Sequence, residues 1–271
     1  MNVRCFILAR NEATNIDRCL RALEHAKVPT VVLDSQSTDR TAAIARARGA
    51  EVEDYRYVNH AIALEYICRQ RTDRRDAVMV LDADMVIAPA LLSAGLDLLA
   101  GPADVVAAPV RMYWNGVPLR FGSLYPPKPF LFRGGQHYFK DRGHGEALLP
   151  DVRTAVTRQE LIHDDRKPYA AYLSSQDRYS LNLLERAEQG QMGWADRARL
   201  STPLLIFAVP AVSYLIKGGI FAGRAGLGYA LDRLIAEAIM HRQALARGLD
   251  RNSSPSAEKA DESTLKASES S

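Results

Sequence analysis

Cysteine is scarce in this chain: Cys5, Cys19 and Cys68 are the only three among 271 residues, and no two of them form a CxxC pair. That excludes a disulfide framework and a cysteine-ligated structural zinc, and it makes a reducing, cytoplasmic setting the expectation. Neither sign of charge dominates. Lys and Arg number 35 against 32 Asp and Glu, for a net charge of +3 and a pI near 8.7. So small an excess argues against nucleic acid as a partner, although it suits an anionic substrate or an anionic membrane surface. Long apolar runs are missing as well. The opening MNVRCFILARNEA has five apolar residues before Arg10, Asn11 and Glu12, fewer than a secretory signal needs, and reads as a first strand. PLLIFAVPAVSYLI, residues 203 to 216, has 14 residues including Pro203 and Pro210, too short to span a bilayer comfortably.

What the chain does have is enough length and, at 47% hydrophobic residues, enough apolar material for a sizeable core. Its first half alternates two periods. CFILA, TVVL (30–33), AVMVL and DVVAAPV are short apolar runs that read as strands. Between them, Ile16, Cys19, Leu20 and Leu23 fall at i, i+3, i+4 and i+7, one buried helical face. Thr38 to Arg48 reads as an alanine-rich helix stopped by Gly49, residues 60 to 71 as another, and PALLSAGLDLLA as a third. Strands separated by helices imply parallel pairing, and ligands of such sheets sit beyond the carboxyl ends of the strands.

Three strand ends on that rim are polar: Arg10, Asn11 and Glu12 after the first, DSQSTDRT (34–41) after the second, and Asp82 and Asp84 in VMVLDADM. If extended geometry continues through Ala83, Asp82 and Asp84 point the same way, and two adjoining carboxylates need a proton or a cation. A divalent Mg²⁺ or Mn²⁺ with oxygen ligands meets that need. The competing reading makes one aspartate a cap for the helix at Pro89 and leaves the other solvated. Asp34 could accept from a nucleobase N–H, and the neighbouring hydroxyls could bind ribose or phosphate, or Ser37 or Thr38 could cap the helix that follows.

ARNEA, DSQSTDRT and LDADM, in this order and spacing, resemble the nucleotide-sugar domain of the family 2 (GT-A) glycosyltransferases. Downstream, GSLYPPKPFLFR, GHGE, LIHDDRKP and QDRYS resemble a subgroup related to lipopolysaccharide-core β-1,4-glucosyltransferases, so that the likeness runs over roughly residues 1 to 230. The fold class this implies is α/β: a Rossmann-like GT-A domain with a mixed, mostly parallel sheet flanked by helices and with C-terminal amphipathic helices. The implied chemistry is inverting transfer of a sugar from a nucleotide-sugar donor, a UDP-hexose, with a divalent metal. Position by position, the resemblance assigns Ala9, Arg10, Glu12 and Asp34, with Ser37 and Asp39, to the nucleoside side, and Asp82 and Asp84 to ribose and metal. Met85 stands where many relatives carry an acidic residue.

Transfer also needs a base for the acceptor hydroxyl on the far side of the sugar. Glu146 in GHGE is the first candidate, with Asp164 and Asp165 in HDD as rivals. His144 and His163 could ligate metal or orient a carboxylate. Arg133, Lys167 and Arg178 could meet diphosphate, and Trp114, Tyr125 and Tyr138 could stack on sugar rings, although ion pairing and core packing are the default roles for such residues.

Four segments are expected: 1–110, a nucleotide-sugar half; 111–200, the acceptor and catalytic half; 201–249, an amphipathic helical extension; and 250–271, a disordered tail rich in Ser, Glu and Lys. Partners would be the nucleotide-sugar donor and a glycan or lipid-linked acceptor, with no nucleic acid. Residues 203 to 229, ending KGGIFAGRAGLGY, either lie on the cytoplasmic leaflet of the membrane or pack on the domain or at a dimer interface. A nucleotidyltransferase is disfavoured because ARNEATN lacks a glycine-rich, lysine-bearing phosphate loop. A non-catalytic sugar- or membrane-binding module is disfavoured by the intact DAD.

Overall fold

The computed structural model describes residues 2–70, 73, 76–141 and 146–249. The expected tail 250–271 and His144 lie outside those residues, and of Glu146 only the backbone is described.

The first half alternates as its periodicity predicts. β1 (Asn2–Ala9), α1 (Ile16–His25), β2 (Thr30–Asp34), α2 (Thr41–Ala47), β3 (Glu51–Asp54), α3 (His60–Gln70) and β4 (Asp76–Asp82) follow one another, then the two-residue β5 (Met85–Val86), α4 (Pro89–Ala100) and β6 (Val105–Ala108). Short strands dominate the next stretch: β7 (Val110–Trp114), β8 (Val117–Pro118), β9 (Lys128–Arg133), β10 (Phe139–Asp141), β11 (Glu146–Leu148), β12 (Thr154–Val156) and β13 (Leu161–His163). The chain then turns helical, with α5 (Tyr169–Glu188), α6 (Trp194–Leu200), α7 (Leu205–Ala211) and α8 (Gly223–Ala246). A π-helical turn, Val212–Ile216, and a 3₁₀ turn, Gly219–Ala222, lie between α7 and α8.

Seven strands form the main sheet in the order β12-β6-β9-β4-β1-β2-β3, parallel except at β9, which runs against both β4 and β6. This is the mixed, mostly parallel α/β sheet of the expected fold class. Side chains alternate across it. Cys5, Ile7 and Ala9 of β1 join Met79 and Leu81 of β4 in one core with Ile16, Cys19, Leu20 and Leu23 of α1, while Phe6, Val78 and Val80 face Leu64 and Ile67 of α3. Both faces of β1 and β4 are therefore buried, which is why these strands read as unbroken apolar runs.

A second sheet, β5-β13-β7-β8, grows out of the first. The chain passes from β6 to β7 across Pro109, and from β4 to β5 across Ala83 and Asp84. The DAD motif thus occupies the crossing point of two sheets.

The described residues divide into two compact units, one within 2–172 with Ala211–Leu231, the other Leu173–Pro210 with residues 232–249. Within the second, Leu183, Leu184, Met192, Leu200, Met240 and Ala244 form a small core. Beside it, buried Glu237 is paired with Arg199, and His241 contacts the Arg199 and Thr202 carbonyls.

Candidate active site

Register places the polar strand ends side by side. Ala9 pairs with Asp34 across β1 and β2, and Leu8 with Asp82 across β1 and β4, so the three loops that follow open on one rim. Strand geometry does not continue through the DAD motif, as the sequence reading required: β4 ends at Asp82, and Ala83 and Asp84 make a turn into β5. Neither aspartate caps α4, whose N-cap is Ala88 without a side-chain hydrogen bond and whose first turn carries Pro89.

The first two loops are fastened to each other. Asn11 has a φ of 55°, and its N–H donates to Ser37 Oγ at 2.9 Å, while the Thr38 N–H donates to Asn11 Oδ1 at 2.8 Å. The Glu12 N–H donates to Thr41 Oγ1 at 2.7 Å and the Ala13 N–H to Asp39 Oδ2 at 3.1 Å. Ser37 Oγ in turn donates to Asp34 Oδ1 at 2.5 Å. α2 begins at Thr41 instead of Thr38, because Asp39 accepts the Thr41 N–H at 2.9 Å and Ser37 and Thr38 are committed across the loops. Against the effect of its partial burial, the donors from Thr41 and Ala13 hold the Asp39 carboxyl below its usual range.

Four carboxylates converge behind this clamp. Asp82 Oδ2 accepts from Lys128 Nζ at 2.9 Å, and Asp84 Oδ2 lies 3.4 Å from His163 Nε2. Glu12 accepts from Lys167 Nζ at 2.6 Å and from Asn15 Nδ2 at 2.9 Å. Asp165 accepts from Asn15 Nδ2 at 2.7 Å, with Lys167 Nζ at 3.8 Å. The Asp164 N–H donates to the Asp84 carbonyl at 3.0 Å, which brings the HDD segment against the DAD turn. Asp164 itself is held by Arg166, at 2.7 Å, and by Arg18, at 3.6 Å.

The charges do not balance. Asp82, Asp84, Glu12 and Asp165 face the ammonium groups of Lys128 and Lys167, and with Asp164, Arg18 and Arg166 beside them five carboxylates meet four cations, a surplus of one negative charge with neutral histidines. The protonation equilibria register the strain. Burial, together with the negative charges of Asp82 and Asp165, pushes the Asp84 carboxyl up, and burial likewise raises Glu12. Asp82 moves the other way: burial opposes it, but the Lys128 ammonium holds it well below the ordinary carboxylate range. Asp84 Oδ1 and His163 Nδ1 are buried and meet no hydrogen-bond partner among the described residues. An acceptor-only oxygen left over beside surplus negative charge is what a cation would complete.

Arg133 and Tyr138 are engaged away from the acidic cluster. Arg133 donates to the carbonyls of Leu99, Ala103 and Gly101, a structural role far from diphosphate chemistry. Tyr138 is buried against Phe132 and Phe139, so it is core and not a sugar platform. Arg178 is exposed, 3.4 Å from Ser175 Oγ. Tyr125 does reach the site, its ring centroid 5.6 Å from that of His163. Arg10 is exposed on the rim, and Met85 is fully buried in β5. Asn15 and Lys128 are the residues that sequence reasoning missed. Asn15 is wholly buried and joins the β1 loop to the HDD segment, while Lys128 arrives from the antiparallel strand β9.

A family model described as "Glycosyl transferase family 2" matches residues 5–164. A curated protein of Rickettsia bellii, described as an uncharacterized glycosyltransferase, is 33% identical over 85 residues, a match covering 30% of this chain and 27% of that protein. Among solved structures, glucosyl-3-phosphoglycerate synthase from Mycobacterium tuberculosis with Mn²⁺, UDP and glucosyl-3-phosphoglycerate is similar at 24% identity over 41% of this chain and 44% of that one, with a TM-score of 0.35. The same enzyme with Mn²⁺, UDP-glucose and phosphoglyceric acid is similar at 23% identity, with the same shares and score. This chain therefore spans under half the length of each of these relatives. The family match takes in the rim loops, the DAD turn and the HDD segment as far as Asp164, and on that ground the chain belongs to glycosyl transferase family 2.

Proposed function

We propose that this chain transfers a hexose from a UDP-sugar, with inversion and with a divalent Mg²⁺ or Mn²⁺, to a glycan or lipid-linked acceptor of the cell envelope. The observation that carries the proposal is the unbalanced acidic cluster at the sheet junction, with Asp84 Oδ1 buried and unmatched. Asp84 and Asp82 would hold the metal, with His163 beside them and His144 as a further ligand; bound there, the ion would offset the charge of the departing diphosphate. No three His, Cys, Asp or Glu side chains are grouped to enclose a metal among the described residues, so phosphate oxygens and water would complete the shell, as hard divalent cations accept.

The other roles belong to this chain's own side chains. Ala9, Arg10, Glu12 and Asp34 would bind the nucleoside on the rim, and Ser37 and Asp39 would keep their two loops in register. Asp164 is committed to Arg18 and Arg166, and Asp165 to Asn15 and Lys167, so both serve best as positioning residues. On the GHGE resemblance Glu146 would be the base, with Asp164 or Asp165 as the alternative, taking the proton from the acceptor hydroxyl as that oxygen bonds to the anomeric carbon and UDP leaves. The downstream motifs support an acceptor related to lipopolysaccharide core or exopolysaccharide and the β-1,4-glucosyltransferase subgroup.

A panel of nucleotide sugars incubated with Mn²⁺ and a disaccharide acceptor tests the reading through release of nucleoside diphosphate. UDP-hexoses should be turned over. Glu146→Gln should lower kcat at least 10²-fold with KM for the donor unchanged, whereas Asp165→Asn should affect both. Turnover of every donor at background rates would refute the reaction class. An unaffected Glu146→Gln with an inactive Asp165→Asn would transfer the base to Asp165.

A further inference from the structure

We infer that the surface made by residues 119–122 and 211–231 is a docking face for an anionic lipid bilayer; the inference stands on that surface and not on the reaction assigned above. The segments form one piece. The Gly122 N–H donates to the Lys217 carbonyl at 2.9 Å, and Ser213 Oγ to the Gly122 carbonyl at 2.7 Å. A Cβ on Gly122 would lie 2.8 Å from Gly219 Cα, so only glycine permits this approach. Phe121 and Phe221 flank Gly218, whose added Cβ would sit 3.5 Å from one side chain and 3.6 Å from the other.

Amphipathicity is inverted in the first turns of α8. Ala225, Gly226, Gly228 and Ala230 face inward, because Gly226 abuts Gly219 and Gly228 abuts Trp114, while Leu227 and Leu231 face out. Exposure of the largest apolar side chains is high: 80% for Phe221, 77% for Ile216, 62% for Leu215 and 53% for Phe121. Clustered large apolar groups turned outward on small-residue backing mark a surface that works against another phase or partner.

Charge selects the occupant. The patch carries exposed Arg120, Lys217 and Arg224, and both segments come from stretches, 105–140 and 197–231, that contain no aspartate or glutamate. Bulky apolar groups ringed by cations suit the interface of a bilayer with anionic headgroups. Spanning is not implied. Among the described residues no single helix is long and apolar enough to cross a membrane; the bent pair Leu205–Ile216 and Gly219–Ala246 is so only taken together, by length and composition, and it carries Arg224, Asp232, Arg233 and Glu237. The patch also lies close to the site, since Tyr125, whose ring meets His163, follows Phe121 by four residues, at most roughly 14 Å of chain.

Flotation of the full chain with phosphatidylcholine vesicles, with and without phosphatidylglycerol, tests the inference. The protein should float with the anionic vesicles and much less with the neutral ones. Ile216→Ser with Phe221→Ser should abolish flotation while leaving the thermal melt and metal-dependent UDP release unchanged, since these side chains are exposed. Lys217→Gln or Arg224→Gln should each lower the partition coefficient roughly fivefold, as expected for one cation near an anionic surface. Failure of wild type to float, equal flotation on both vesicles, or a concentration-dependent dimer that Ile216→Ser with Phe221→Ser dissolves without any vesicle binding would overturn the assignment.

Discussion

Asn15 uses every hydrogen-bonding capacity of its amide. Nδ2 donates to Glu12 and Asp165, and Oδ1 accepts from Arg18 at 3.0 Å and from the Arg166 N–H at 2.9 Å. Asn15→Ala would leave two carboxylates short of a donor in a cluster already too negative. We expect a loss of about 2 kcal/mol in urea unfolding, the cost of stranding buried polar groups, and a fall in turnover because Asp165 and Glu12 lose their common anchor. Asn15→Asp should be worse at neutral pH, since it adds a further carboxylate there, and should recover in part as the pH is lowered. Unchanged stability in both variants would remove Asn15 from the account. The acidic residues of the site were legible because they stand out at strand ends. Asn15 and Lys128 were not, because their significance lies in partners such as Asp165 and Asp82, distant in sequence.

Elements explain which local readings succeeded. The i, i+3, i+4, i+7 pattern of α1 needed no tertiary information, and its four residues are the ones buried. The start of α2 did depend on tertiary context: Ser37 and Thr38 are good capping types, but Asn11 and Asp34 engage them first. Asp39 therefore does two jobs, satisfying the α2 terminus and clamping the β1 loop. Asp39→Ala should cost about 1 kcal/mol at neutral pH, as for loss of a helix cap. Its folded-state pKa is depressed, so its contribution is present above the unfolded value and is lost as pH falls through the folded one. Denaturation curves of wild type and Asp39→Ala should thus converge in the acid range; a gap that widens there would contradict the assignment. The tight packing of α8 makes its own prediction. A Cβ on Gly228 would come within 2.2 Å of Trp114, whereas one on Gly193 meets nothing within 4 Å. Gly228→Ala should lower stability by about 1–3 kcal/mol and Gly193→Ala should not, as thermal melts would show.

At the scale of the whole molecule, two sheets cross where β4 hands over to β5, and the acidic surplus sits at that crossing. The alternation of apolar runs disclosed the parallel sheet. It did not disclose the second sheet, whose strands β5, β8 and β13 are two or three residues long and are fixed by pairing partners far along the chain. Ligand linkage follows from this arrangement: UDP with Mn²⁺ should raise the melting temperature, the stabilisation reaching about 2.7 kcal/mol at a hundredfold excess over Kd. The metal site at the sheet junction can be probed by calorimetric titration of Mn²⁺ into protein preloaded with UDP, comparing wild type with Asp84→Asn. Binding should be saturable in wild type and at least tenfold weaker in the variant if the unmatched Asp84 oxygen anchors the ion as proposed; equal affinity in the two proteins would rule that site out.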